Sequence, residues 1–243
     1  MIDIRWRPLI INTHQRREGS SLQKSYALFD FDGTLIHGDS IVKLCFYACR
    51  KRMMSPVGLL RSGVMSALYL CRLTTAQKAK QAALAFLKGR SVEDMRVFAE
   101  DFCREVLVPR LYKDGLAELE KHRAAGREIW LISASPAFYL EPLTKHLPLT
   151  GVIGTRMHAD ENGIYSGLMA GENCRGIEKP LRLAEVLASR GEMLDYQDSC
   201  AYGDTAGDAP MLALCAQKVA VNPRKKLIKT LDGAEGVTQV RWR

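Results

Sequence analysis

The chain has 243 residues, of which 47% are hydrophobic and 26% are charged, and its net charge at pH 7 is +8. With no long repeat or low-complexity tract, this composition excludes disordered and fibrous proteins and predicts a globular protein with one large domain or a domain that carries an insertion. The seven cysteines show no CxxC spacing and the N-terminus shows no secretory pattern, so we expect reduced thiols, no zinc site and a cytoplasmic location.

The first part of the chain begins with residues 1–24, which are mostly polar and predict an N-terminal tail or a late-added strand. Residues 26–31 form an apolar run typical of a buried parallel strand, and Gly33 ends it because glycine readily adopts positive φ. From residue 40 to about residue 107, apolar residues recur with helical periodicity. This part predicts four helices, with breaks at Pro56, at Thr74 and Thr75, and at Gly89 to Ser91.

Beyond Pro109, predicted strands and helices alternate. They are a helix over 111–126, a strand over 128–135, a helix over 136–147, a hairpin around Asn162-Gly163, a helix over 176–191, a strand over 199–204, a helix over 207–215 and a last core strand over 218–222. This order predicts an α/β fold with a doubly wound parallel sheet. We assign residues 25–36 and 111–243 to this core and residues 37–110 to a helical cap domain inserted after the first core strand.

The predicted cap is strongly basic. Between Ser40 and Val92 there is no aspartate or glutamate, but there are ten lysines and arginines, so this surface either attracts anions or is an ordinary solvated helical face. Within it, the apolar segment 53–73 is interrupted by Pro56 and Arg61 and is too short to span a bilayer. Its apolar residues either pack the cap's own helices or form a helix that lies on an anionic membrane surface.

Ionisable and hydroxyl side chains occur at the predicted strand ends and helix starts. They are Asp30, Asp32, Ser133, Lys179, Asp204 and Asp208. The topology of a parallel sheet would bring them together, and crowded carboxylates are costly unless a cation lies between them. We therefore predict a Mg²⁺ cofactor bound by Asp30, Asp204 and the main-chain carbonyl of Asp32, with Asp208 orienting metal-bound water or Lys179.

Such a site suits phosphoryl transfer to an aspartate. Asp30 would be the nucleophile, and Asp32 would act as general acid and then as general base. Lys179 and the Ser133 hydroxyl would hold the phosphoryl oxygens, and Thr34 would donate to the phosphate or brace the loop. Ser133 also has the ordinary interpretation of a helix cap, a role for which Ser135 before Pro136 competes.

Four ordered motifs carry a family resemblance. They are "DFDGTL", the serine that closes "IWLIS", Lys179 in "GIEKP", and "GDTAGDAPML". The chain resembles the haloacid dehalogenase superfamily, and the helical insertion resembles that of the phosphoserine phosphatase-like branch with a type 1 cap. This resemblance implies a Rossmann-like core, Mg²⁺ and a phosphatase that works through an aspartyl-phosphate. It also implies that Asp39, nine residues after Asp30, lies where this branch has an acidic residue near the substrate.

The resemblance has limits that bear on the substrate. Gly207 stands where many relatives have asparagine, and no cap arginine that would bind a phosphoserine carboxylate can be singled out. We therefore expect a small phosphorylated metabolite as substrate and no nucleic-acid partner, and the oligomeric state is left open. One alternative is a lipid phosphate such as phosphatidylglycerophosphate, reached through peripheral membrane contact. The other is a non-catalytic, receiver-like phosphate-binding module.

Overall fold

The computed structural model describes residues 22–243; the predicted tail is therefore outside the described residues except for its last three positions. The strands, numbered along the chain, are β1 (Leu22–Lys24), β2 (Tyr26–Phe29), β3 (Glu128–Pro136), β4 (Gly151–Thr155), β5 (Met157–Ala159), β6 (Tyr165–Met169), β7 (Glu192–Leu194), β8 (Cys200–Gly203), β9 (Gln217–Val221) and β10 (Val237–Val240). Residues 22–24 form a strand, β1, which pairs in parallel with β7.

The central sheet has six strands in the order β10-β9-β8-β2-β3-β4, and every neighbouring pair is parallel. This sheet confirms the predicted α/β fold. From β2 the chain adds β3 and β4 on one side, and later adds β8, β9 and β10 on the other. The order therefore reverses at β2, where parallel sheets place their ligand sites.

One prediction about the sheet is wrong, because β9 is not its last strand. β10 follows and pairs with β9 along Val237–Val240. The sequence pattern missed β10 because this edge strand is partly exposed on both faces and lacks a continuous apolar run.

The helices are α1 (Ser40–Arg50), α2 (Pro56–Leu70), α3 (Ala76–Leu84), α4 (Val92–Phe102), α5 (Lys113–Ala124), α6 (Ala137–Leu140), α7 (Glu178–Arg190), α8 (Ala209–Leu212) and α9 (Lys225–Thr230). The first four confirm the predicted run of four helices between the first two strands of the sheet. Each begins at a side chain that accepts a hydrogen bond from the first turn, and these caps are Asp39, Ser55, Thr75 and Ser91.

Two predicted helices are much shorter in the structure. α6 ends at Leu140 and continues as a 3₁₀ turn over Glu141–Lys145, because Pro142 cannot donate a helical hydrogen bond. α8 has only four residues, and the backbone then tightens through a bond from the Leu214 amide to the Met211 carbonyl. None of the helices within residues 22–243 is long and apolar enough to cross a bilayer.

The two faces of the sheet pack against different partners. Alternation along β2 places Phe29 in a cluster with Leu44 and Phe102 of the helical insertion, and Leu28 in a cluster with Leu183 of α7. The insertion therefore shares one continuous hydrophobic core with one face of the sheet. The boundaries of separate core and cap domains stay a prediction.

The antiparallel hairpin of β5 and β6 confirms the turn predicted at Asn162-Gly163. Backbone hydrogen bonds also tie this hairpin to the segment between α3 and α4 of the helical insertion. The amides of Gly89 and Val92 donate to the carbonyls of Tyr165 and Gly163 at 2.9 and 2.8 Å. All seven cysteines lie in the described part of the chain, and none of them forms a disulfide.

Candidate active site

The site lies at the carboxyl ends of the central strands. Asp30 directly follows β2, Asp204 directly follows β8, and Ser133 lies near the end of β3. The Asp30 amide donates a 3.0 Å hydrogen bond to the Tyr202 carbonyl, which ties the end of β2 to the end of β8. Asp30 and Asp204 consequently lie side by side, as the predicted topology requires.

Lys179, on the first turn of α7, is buried between two carboxylates. Its Nζ donates 2.6 Å hydrogen bonds to Asp30 Oδ1 and to Asp208 Oδ1. Burial lowers the pKa of Lys179, but the charges of Asp208 and Asp30 outweigh burial and leave the pKa raised. Lys179 is therefore a cation that fixes the positions of both acids.

The carboxylates of Asp30, Asp204 and Asp208 form an acid cluster in which oxygens lie within 4.8 Å of one another. Burial, followed by the charge of Asp208, raises the pKa of Asp30 well above its usual range and raises the pKa of Asp204 to about 7. One lysine does not neutralise three acids. The acid cluster thus has an excess of negative charge that a bound cation would offset.

Asp204 is the member of the acid cluster with an unpaired carboxylate oxygen among the described residues. Its Oδ1 is buried without a hydrogen-bond partner within residues 22–243, whereas its Oδ2 meets the exposed Arg224 at 3.4 Å. Asp208 uses both oxygens, since Oδ1 accepts from Lys179 and Oδ2 accepts from the Thr205 amide and hydroxyl. An unpartnered buried carboxylate oxygen beside two other acids fits a hard divalent cation.

Gly33 allows the loop after β2 to approach Asp204. Its φ is +85°, and a Cβ at this position would overlap the Asp204 carboxylate. Any other residue would therefore be strained and would also displace a member of the acid cluster.

Asp32 belongs to a different network, which is rich in hydroxyl groups. Its oxygens accept hydrogen bonds of 2.5 Å from the Ser40 amide and from the Ser135 hydroxyl. The Ser40 hydroxyl lies 3.0 Å from that of Ser135 and 2.8 Å from that of Tyr139. Burial, followed by the charge of Asp39, raises the pKa of Asp32 to about 6 against the lowering effect of these hydrogen bonds. Asp32 is thus held rigidly and can exchange a proton near neutral pH.

The alternative roles of Ser133 and Ser135 as helix caps are wrong. β3 continues through Pro136, so both serines are in the strand, and α6 begins without a side-chain cap. Ser133 Oγ accepts a 3.1 Å hydrogen bond from the Ser135 amide, and the Ser135 hydroxyl donates to Asp32. The phosphate-binding role of Ser133 stays a prediction, and Ser135 is a site residue that the sequence analysis did not identify.

Thr34 and Asp39 have partners in the loop after β2. The buried Thr34 hydroxyl donates a 3.3 Å hydrogen bond to Asp30 Oδ2. Asp39 is exposed, and its Oδ1 caps α1 by accepting from the amides of Ile41 and Val42. Capping is the role these contacts support for Asp39, and contact with a substrate stays a prediction.

A comparison with known families decides what kind of protein this is. A model of the haloacid dehalogenase-like hydrolases matches residues 27–213, a range that includes every residue of the acid cluster, the Asp32 network and Lys179. The chain belongs to the haloacid dehalogenase-like hydrolase family. It is an enzyme of this family, and the resemblance in the sequence is confirmed.

Curated relatives in this hydrolase family include three of particular interest. Protein CicA of Caulobacter vibrioides is 35% identical over 78% of this chain and 82% of its own length. Phosphoserine phosphatase SerB1 of Mycobacterium tuberculosis is 30% identical over 83% of this chain and 66% of its own. Histidinol-phosphatase of Neisseria meningitidis is 30% identical over 85% of this chain and 94% of its own.

Solved structures support the same fold. A protein of unknown function from Bordetella pertussis superposes with a TM-score of 0.78 at 25% identity, over 90% of this chain and 98% of that one. A phosphoserine phosphatase that holds an analogue of its phospho-aspartyl intermediate superposes with a TM-score of 0.60 at 16% identity, over 90% and 93%. The hydrolase therefore has the fold of phosphoserine phosphatase structures.

An arginine, Arg175, lies beside Gly207. A Cβ on Gly207 would lie 3.2 Å from Arg175 Nε, and Arg175 Nη1 donates a 2.8 Å hydrogen bond to the hydroxyl of Tyr69 on α2. Arg175 thus joins the insertion to the loop before Asp208. Little in the sequence indicated this role for Arg175, which is one basic residue four positions before Lys179.

Lys80 on α3 provides a second link between the insertion and the core. Its Nζ donates to the Ala134 carbonyl at 2.5 Å and to Asn173 Oδ1 at 2.6 Å, and the Thr155 hydroxyl lies 2.5 and 2.9 Å from the same two oxygens. Burial lowers the pKa of Lys80 to about 8. Because Ala134 lies between Ser133 and Ser135, this contact joins the insertion directly to the strand end that borders the site.

Proposed function

We propose that this hydrolase is a Mg²⁺-dependent phosphomonoester phosphatase that works through an aspartyl-phosphate on a small phosphorylated metabolite. The observation that carries the proposal is the position of Asp30 among a buried lysine and two further acids. Lys179 holds Oδ1 at 2.6 Å, whereas among residues 22–243 Oδ2 accepts only a long bond from Thr34. One oxygen is thereby oriented and the other is left for attack on phosphorus.

In the first step, Asp30 Oδ2 forms a bond to phosphorus as the bond from phosphorus to the alcohol oxygen breaks. Lys179 and the Ser133 hydroxyl would stabilise the charge on the phosphoryl oxygens, since both are buried beside the nucleophile's strand. Asp208, through its hydrogen bonds to Lys179 and Thr205, would keep the ammonium group in place.

Asp32 would act on protons in both steps. A pKa of about 6 keeps part of this carboxyl protonated near neutral pH, so it can donate to the leaving alcohol. The resulting carboxylate would then take a proton from the water that attacks the aspartyl-phosphate. The hydrogen bonds from Ser40 and Ser135 hold it in a fixed orientation for both transfers.

Mg²⁺ would be held by Asp30, Asp204 and the main-chain carbonyl of Asp32, and when bound it would reduce the repulsion between carboxylate and phosphate. The unpartnered Asp204 Oδ1 supports this assignment. Because Asp208 already uses both of its oxygens, it is better suited to positioning Lys179 than to binding the ion.

We further propose that residues 37–110 act as a cap over the site. Lys80 and Tyr69, both in this segment, bind groups beside the strand ends, which supports a closed arrangement that excludes water. The named activities of SerB1 and the Neisseria histidinol-phosphatase support a small phosphorylated metabolite as substrate. A lipid phosphate is the second candidate, favoured by the exposed apolar surface of α2. A cytoplasmic location stays a prediction.

The test is hydrolysis of para-nitrophenyl phosphate with and without Mg²⁺. Asp30→Asn should lower kcat by about a thousandfold or more, because the nucleophile is lost. The matched control is Asp198→Asn, which makes the same substitution at an exposed aspartate outside the acid cluster and should leave kcat unchanged. Lack of turnover together with a stable phosphoprotein would instead support the receiver-like module. A panel of phosphorylated metabolites and lipid phosphates at fixed Mg²⁺ would then distinguish the two substrate classes.

A further inference from the structure

The helix α2 has its apolar side turned outward. Of its fifteen residues, all of them described, only Ser62 is buried. The strongly exposed apolar side chains in and just after the helix are Val57 (76% exposed), Leu60 (69%), Val64 (51%), Leu70 (80%) and Leu73 (74%). The alternative that these residues pack the insertion's own helices is therefore wrong for this face.

Three of the exposed apolar residues share one side of α2. Val57, Leu60 and Val64 recur at spacings of three and four, so they lie on the same side of α2. The opposite side presents Ser62 to the protein, and the Ser66 hydroxyl donates to the Ser62 carbonyl instead of to solvent. A helix of a water-exposed surface normally has the reverse arrangement.

Three arginines in and next to α2 have no acidic partners within residues 22–243. Arg52 precedes α2, Arg61 lies within it and Arg72 follows it, and none of the three forms an ion pair with an acid within residues 22–243. Arg50 and Lys51, by contrast, both pair with Glu105. Since no aspartate or glutamate occurs between Ser40 and Val92, the surface has a net positive charge that is not compensated locally.

Two of these arginines occupy unfavourable backbone conformations. Arg52 and Arg72 have φ of 57° and 61°, just beyond the ends of α1 and α2. Glycine is the residue that normally occupies this left-handed position, because other side chains are strained there. A cation thus lies before and after α2 in a conformation that glycine would adopt at lower cost.

We propose that the outward face of α2, together with Arg52, Arg61 and Arg72, binds the surface of an anionic lipid bilayer, with the helix lying in the plane of the interface. Apolar side chains with cations among them and on either side of the helix match acyl chains and anionic headgroups. A second copy of the chain fits less well, because a symmetric contact would bring the arginines together without acids to pair with them. This binding is independent of the proposed phosphatase activity.

Such binding would place the candidate active site close to the bilayer. The hydroxyl of Tyr69, near the end of α2, accepts a 2.8 Å hydrogen bond from Arg175. Arg175 in turn lies beside Gly207, the residue before Asp208. The membrane-facing helix is thereby linked to the loop that positions Lys179.

The test is flotation of the full chain with vesicles of phosphatidylcholine that contain phosphatidylglycerol, compared with vesicles of phosphatidylcholine alone. The protein should float with the anionic vesicles and should be released by added salt. The double variant Leu60→Gln, Val64→Gln should lower the partition coefficient by about tenfold or more, because two apolar side chains no longer enter the interface.

The matched control is Val97→Gln with Leu168→Gln, which changes apolar residues that are 53% and 54% exposed elsewhere on the surface and should leave partitioning unchanged. Arg61→Gln with Arg72→Asn should weaken binding by about fivefold for each charge removed. The unfolding temperature of each variant verifies its fold. Equal partitioning to both vesicle types would overturn the proposal. So would a wild-type dimer that does not bind vesicles and that Leu60→Gln, Val64→Gln converts to monomer.

Discussion

Replacement of Lys179 by methionine tests the electrostatics of the acid cluster. The side chain of Lys179 is 1% exposed and its Nζ is bonded to two buried carboxylates. Methionine has a similar volume but no charge, so the variant leaves the acids without their cation. Removal of one partner from a buried ion pair costs about 3–5 kcal/mol, and we expect a loss of this size in the free energy of unfolding at pH 8. For a chain of this length, that corresponds to a fall of about 6–20 °C in Tm.

The loss should depend on pH in a defined direction. The folded-state pKa values of Asp30 and Asp204 are already raised, and without Lys179 they should rise further. A carboxyl with a raised folded-state pKa binds more protons when folded than when unfolded, so the folded state gains stability as pH falls toward the unfolded pKa of about 4. The difference in unfolding free energy between wild type and Lys179→Met should therefore be smaller at pH 5 than at pH 8.

Lys218 provides the matched control, because it is a buried lysine whose Nζ donates to the main-chain carbonyls of Ala216 and Glu235 and not to carboxylates. Urea denaturation of both variants at the two pH values measures the effect. Lys218→Met should lose about 1–3 kcal/mol, with little dependence on pH. If Lys179→Met loses no more stability than this control, or loses the same amount at pH 5 and pH 8, the electrostatic account is incorrect.

Three further predictions concern Asp32, the proposed proton-transfer residue, and the stability of the fold. Asp32→Asn should lower kcat about a hundredfold or more and cause a phosphoenzyme to accumulate, because the base for hydrolysis of the aspartyl-phosphate is missing. Acid-quenched labelling would detect the phosphoenzyme, and a variant with the wild-type rate would refute the role assigned to Asp32. Ser135→Ala should raise the pKa of Asp32 by about one unit and shift the pH-rate profile to higher pH, since the Ser135 hydrogen bond lowers this pKa. Burial lowers the pKa of His122 to about 4, so this residue alone should contribute a loss of about 2–3 kcal/mol of unfolding free energy between pH 6.5 and pH 4. His122→Asn should lack that contribution, which denaturation curves of both proteins at the two pH values would measure as a change in their difference.

Much of the fold could be predicted from local patterns. Continuous apolar runs identified β2, β3 and β8, and breaks at Pro56, at Thr74 and Thr75, and at Gly89 to Ser91 separated the insertion helices, because both signals depend on nearby residues. The edge strand β10 and the short helices α6 and α8 were not predicted correctly, since their lengths depend on neighbouring elements and on Pro142. The acid cluster with Lys179 was expected because parallel strands bring their carboxyl ends to one edge.

The sequence by itself determined that Asp30 and Asp204 lie at strand ends and that Lys179 lies at the start of a helix, because these positions follow directly from motifs and from the order of the elements. The tertiary structure alone decided that Asp32 is held by Ser135, more than a hundred residues away, and that Arg175 approaches Gly207. It also decided that the apolar residues of α2 face outward, because helical periodicity defines a face but not the direction in which it points. Contacts between residues that are distant in sequence depend on tertiary packing, which the local pattern of residues does not determine.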